Sequence, residues 1–211
     1  MSKKDKKRKK SYSPKRVRIP AFVAEYLPEY TEKARMNLEL AELLPLQAVK
    51  NGEGSQFNLM SLAATLKLGA LIERYYEIGL TDLCMVAQAG LHVAQEYVKH
   101  KIPVPEELIA PTEDAVTQIV DIQRQLTRPA MAVLLEEGQN PNLKILDYVE
   151  ANVRHIIPGK SPKEYAPAGE VITYLDGAAV RGRLSWEGDE LMFENDNGRQ
   201  KIEKAIVVYA V

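Results

Sequence analysis

The sequence predicts an α+β protein: an N-terminal α-helical bundle followed by a small five-stranded β-barrel. Three observations predict it. Apolar residues recur at three- and four-residue steps through most of residues 20–156. The stretch PGKSPKEYAPAG, 158–169, then breaks that period with three prolines and two glycines. Beyond it the apolar period switches to two. The expected organisation is a disordered basic arm over 1–19, the bundle over 20–156, a linker over 157–167 and the barrel over 168–211. At 211 residues and 45% hydrophobic content the chain can bury a core for one ordinary domain and a small one.

The arm is defined by charge. MSKKDKKRKKSYSPKRVR holds ten of the chain's 28 Lys and Arg and one of its 29 Asp and Glu. The other 193 residues therefore carry 18 cations against 28 anions, a body of net −10 beside an arm of net +9. A run so charged and so poor in apolar residues buries nothing and attracts polyanions by counterion release. Lys3, Lys4, Lys6, Lys7, Arg8, Lys9, Lys10, Lys15, Arg16 and Arg18 are accordingly candidate nucleic-acid contacts, with a solubilising tail as the alternative reading.

After Pro20 and Pro28, a first helix places Ala34, Leu38, Ala41 and Leu44 at helical spacing, with Pro45 and the turn cluster NGEGS, 51–55, ending it. Phe57 to Ile78 is apolar on more than one side and stops at Gly79, which predicts a central helix. Thr81 and Asp82 open the next, which runs to about His100 before Pro103 and Pro105. Pro111, Thr112 and Glu113 open a helix carrying Val116, Ile119, Val120 and Leu126; Thr127 and Pro129 start a shorter one closing at Gly138. Ile145, Leu146, Val149 and Val153 predict a last helix over 142–155.

In the tail, Asp176-Gly177 and Asn197-Gly198 interrupt alternating apolar runs, and these dipeptides tolerate the positive φ angles of type I′ hairpins. Val180, Gly182, Leu184 and Trp186 fall on one face of a strand, Arg181, Arg183 and Ser185 on the other. A meander this short buries its apolar face by closing on itself or packing on a neighbour, which predicts a small barrel.

Tyr174-Leu175, Gly177, Val180, Gly182 and Leu184, then Ile202, Lys204, Ala205 and Ile206, resemble the Sm-like fold, in particular the Hfq family of bacterial RNA chaperones, over about the last fifth of the chain. Other barrels of the SH3 type share the pattern. The resemblance implies base stacking at Tyr174, RNA contact at Lys204 and assembly into rings. The family's closing Lys-His-Ala-Ile-Ser reads Glu203-Lys204-Ala205-Ile206-Val207 here, so a glutamate replaces its lysine. Arg181 and Arg183 form a candidate phosphate-facing patch, with a solvated strand face balanced by Glu187 and Asp189 as the alternative. The helical part is faintly similar to uncharacterised proteins of phages and plasmids.

No enzyme signature stands out. His92, Glu96 and His100, with Glu73 and Glu77, imitate a carboxylate bundle but lack the paired Glu-x-x-His of di-iron sites. Tyr75 and Tyr76 read as packing residues, Cys84 as a small buried hydrophobe, and NGEGS lacks the lysine of a phosphate loop. No cofactor is expected. The lone cysteine fits a reducing cytoplasm, and neither a signal peptide nor a run of about 18 apolar residues is found, so no membrane role is expected. The function expected is non-enzymatic binding of nucleic acid, RNA ahead of DNA, through arm and barrel, with a homo-oligomer formed through the barrel. The alternative is a protein-interaction or structural module whose acidic bundle docks a partner.

Overall fold

A computed structural model describes residues 32–140 and 150–211. Among the described residues five helices come first: α1 (Glu32–Lys50), α2 (Gln56–Tyr76), α3 (Thr81–Lys99), α4 (Glu106–Gln125) and α5 (Arg128–Gly138). Six strands follow: β1 (Val153–Ile156), β2 (Glu170–Leu175), β3 (Ala178–Glu187), β4 (Glu190–Asn195), β5 (Gly198–Ile202) and β6 (Ile206–Ala210). The expected basic arm lies outside the described residues.

Three helix limits differ from the expected ones. α2 stops at Tyr76, with Glu77 rather than Gly79 in the left-handed capping position. α1 continues through the buried Pro45 to Lys50, and α4 begins at Glu106, five residues before Pro111. A proline costs a helix one backbone bond and some bending, while Leu108 and Ile109 extend the buried stripe of Thr112, Ala115, Val116 and Ile119 backwards past it. Packing outweighs that loss. The turn cluster does follow α1, and its last residue does more than turn: Ser55 closes a capping box on α2, its Oγ accepting from the Asn58 N–H and its own N–H donating to Asn58 Oδ1 at 2.9 Å.

The five-stranded barrel is not what forms. The sheet is open, antiparallel and six-stranded, ordered β1-β6-β2-β3-β4-β5. The extra strand comes from residues expected to finish a helix: Val153–Ile156 pair with Tyr209–Ile206 along the far edge of β6. The physical reason is that both faces of the sheet find apolar cover. One face gathers Ile156, Val171, Leu184, Leu191, Phe193, Ile202, Ile206 and Val208 into its own core. On the opposite face Val153, Ile172, Val207 and Tyr209 join the buried cluster of the bundle. With α3 and α4 covering the β1-β6-β2 half, closure is not needed to bury it.

Three local features set the geometry. Asp176 and Gly177 are the two loop residues between β2 and β3 and both have positive φ, 50° and 82°, as a type I′ hairpin requires. The second hairpin turns one residue earlier than expected: Asn195 pairs with Gly198, so Asp196 and Asn197 form the loop, held by the Asn197 N–H donating to Asn195 Oδ1 at 2.9 Å. At Gly182 an added Cβ would lie 2.5 Å from Phe193 Cζ, so the phenyl ring occupies the space a side chain would need.

Candidate functional site

Register places three of the four residues singled out in the tail, Tyr174, Arg181 and Arg183, on one face. Opposite residues in a ladder share a face, and Ile172 stands opposite both Arg181 and Tyr209, while Tyr209 stands opposite Val153. The next row runs Glu170, Arg183, Glu194, Arg199. This face is therefore apolar and covered by helices over β1-β6-β2, and charged and exposed over β3-β4-β5. Arg181 sits at the boundary.

Arg181 reaches across that boundary to the first turn of α3. Its Nε donates to Asp82 Oδ2 at 2.6 Å and its Nη2 to Asp82 Oδ1 at 2.7 Å. This fork-on-carboxylate geometry raises the pKa of the guanidinium, the hydrogen bond to Asp82 being the largest cause. Tyr174 packs against the bundle cluster and points its hydroxyl at Asp114 of α4, 3.4 Å away. Burial, and then the Asp114 charge, raise its pKa. A third seam contact, His155 Nε2 to Glu107 Oε1 at 3.4 Å, joins β1 to the start of α4. Tyr174 and Arg181 thus face the bundle.

The cations of the exposed half are largely taken by the chain's own carboxylates. Arg199 pairs with Glu187 at 2.7 Å, Lys201 with Glu190 at 2.7 Å, and Lys163 with Asp189 at 2.9 Å. The Glu190 carboxylate raises the pKa of Lys201, and Lys163 lowers that of Asp189. Arg183 and Lys204 are exposed and make no ion pair or hydrogen bond among the described residues. Arg183 lies in register between Glu170 and Glu194. Lys204 sits in the turn between β5 and β6, next to Glu203. The four tail residues do not converge on one patch. The ten arm residues lie outside the described residues.

Side chains weighed for chemistry are engaged in packing and capping. Glu73 Oε2 accepts the backbone N–H of Ile78 at 3.0 Å and of Leu80 at 2.8 Å, tying the end of α2 to the start of α3. The Tyr75 hydroxyl donates to Glu137 of α5, and this hydrogen bond is the largest cause of its raised pKa. Burial pushes the Cys84 thiol up to about 12. His92 lies near Glu150, and Glu96 beside Lys99 and His100. Among the described residues no three His, Cys, Asp or Glu side chains group as a metal-ligand set, and no helix is long and apolar enough to cross a membrane.

Sequence reasoning missed the seam. Asp82 reads from sequence as a first-turn helix acid, and nothing local links it to Arg181, 99 residues later. The one available signal was the placement of Arg181 on the same strand face as Arg183 and Ser185, beside a neighbouring strand, β2, whose matching face is apolar. The topology also bears on assembly: β6 is flanked by β2 and β1, so both edges of the final strand are filled within the chain. Comparison with protein-family models, with curated proteins and with solved structures found no match to this chain.

Proposed function

We propose that this protein binds nucleic acid through the phosphate backbone, that its basic N-terminal arm supplies the affinity, and that it works by binding rather than by chemistry. The observation that carries this reading is the segregation of charge: ten cations and one anion in the first 18 residues, against a remainder of net −10. The folded body adds little positive charge of its own, since Arg181, Arg199, Lys201 and Lys163 are each held by a carboxylate of the same chain. An arm of this composition binds by releasing counterions, which favours no sequence and serves RNA and DNA alike. The acidic body attracts the arm, but its carboxylates are scattered and partly paired with its own cations, so a polyanion of denser charge competes well for the arm.

The test is the salt dependence of binding. For the full chain on a single-stranded RNA and on a duplex DNA, the logarithm of affinity should fall linearly with the logarithm of salt. Six or more phosphate contacts give a slope of about −4 or steeper on the single strand. A flat response, or no binding to either polymer at low salt, would overturn the reading and favour a protein-interaction role for the acidic bundle.

A further inference from the structure

An apolar groove of about 330 Å³ lies between α1, α2 and α5, lined by Ala41, Ala64, Thr65, Leu68, Leu134 and Leu135 among others. Leu135 is 41% exposed, and α1 carries Leu40, Leu43 and Leu44 at 48%, 36% and 61% exposure. Single exposed leucines are ordinary, but several on one helix beside a groove mark a docking surface.

The sequence holds a complementary partner next to it. Residues 19–30, IPAFVAEYLPEY, place Ile19, Phe22, Val23, Tyr26, Leu27 and Tyr30 at three- and four-residue steps, with Glu25 and Glu29 as the segment's charges. This stripe joins the chain two residues before α1, which supplies a wall of the groove. Ala41 lies about 14 Å along α1 from Glu32 at the helical rise. Thirteen residues span about 20 Å as helix and up to about 43 Å extended, so the segment reaches the groove in either form.

We propose that the apolar stripe of residues 19–30 docks in the groove between α1, α2 and α5 of the same chain, as an amphipathic segment laid into an apolar channel. Tethering decides between this occupant and a second copy. A short linker holds its segment at an effective concentration in the millimolar range, far above a second copy at micromolar protein. Docking at residue 19 also fixes where the basic arm leaves the body. Docking of this segment needs no nucleic acid.

The full chain would be made with Ala21→Cys and Gln139→Cys, at the stripe and the groove, and separately with Ala21→Cys and Arg183→Cys on the outer face of β3. The native Cys84 is buried and does not compete. With a short bismaleimide, the first pair should form an intramolecular cross-link at least tenfold faster than the second. Phe22→Asp on the segment, or Ala64→Arg at an exposed lining position, should slow it at least fivefold while helical circular dichroism shows the body still folded. Equal rates in the two pairs, no cross-link, or insensitivity to both substitutions would overturn the proposal. Cross-linked dimers as the main product would give the groove to a second copy and overturn it equally.

Discussion

At Gly182 the added Cβ of any other residue would meet both the Phe193 ring and the Glu194 carbonyl oxygen, two atoms groups that cannot both move without opening the core of the sheet. Gly182→Ala should therefore cost about 1–3 kcal/mol by overpacking, whereas Gly169→Ala, which meets no neighbour within 4 Å, should be neutral or slightly stabilising. Phe193→Ala, removing a side chain 1% exposed, should cost about 3–5 kcal/mol. Denaturant titration of the three variants checks this ordering. Cys84 makes a second prediction at this scale. Its thiol is raised by burial from 9.0 to about 12, so the folded state holds the proton more tightly than the unfolded. That contribution is complete below pH 9 and is lost as pH rises towards 12, about 1.4 kcal/mol by pH 10. Wild type should lose that much more stability between pH 8 and pH 10 than Cys84→Ala does; parallel curves would show that the thiol is not desolvated in the native state.

At the scale of elements, β1 is the strand on which the sheet's arrangement turns. Val153 is buried in the cluster of the bundle and Ile156 in the core of the sheet, so Ile156→Ala should cost about 2–5 kcal/mol. A cost below about 1 kcal/mol would place the strand outside the core. Val153 also explains why this element was misread. It stands four residues after Val149, which continues the helical spacing of Ile145, Leu146 and Val149, although its partner for burial is the bundle facing a strand. Barrel closure failed as an expectation for a related reason: Ile172, Val207 and Tyr209 look from sequence like strand residues that need a second sheet wall, and the wall is α3 and α4. What was legible depended on nearest neighbours. The Asp176-Gly177 turn, the alternation along β3 and the Thr127 start of α5 each follow from chemistry within a few residues. Pro111 shows the limit, because local preference opens a helix there, whereas tertiary packing starts it at Glu106.

At the scale of the whole molecule, bundle and sheet form one packed unit. Residues of β1, β2 and β6 belong to the same buried cluster as α2, α3 and α4, and three polar contacts cross the seam: Arg181 with Asp82, Tyr174 with Asp114, and His155 with Glu107. Thermal unfolding followed by the tail's one tryptophan, Trp186, and by helical circular dichroism should give coincident transitions; separated midpoints would mean that the two parts hold themselves up independently. Asp82→Ala should lower stability by less than about 1 kcal/mol, because the ion pair it removes is partly exposed to water. The candidate nucleic-acid residues divide along the same lines. Tyr174 and Arg181 are engaged at the seam, Arg183 and Lys204 are exposed but sit beside acids, and the arm holds the concentrated charge. The most direct measurement is therefore a comparison of two full-length variants on one RNA at low salt, Lys6, Lys7, Arg8, Lys9 and Lys10 changed to Gln in the first and Arg183 and Lys204 to Gln in the second. The account predicts that the first loses at least tenfold in affinity and flattens the salt slope by about 3.5, at about 0.7 per lost contact, while the second stays within twofold of wild type. Loss confined to the second variant, with the first binding normally, would contradict it.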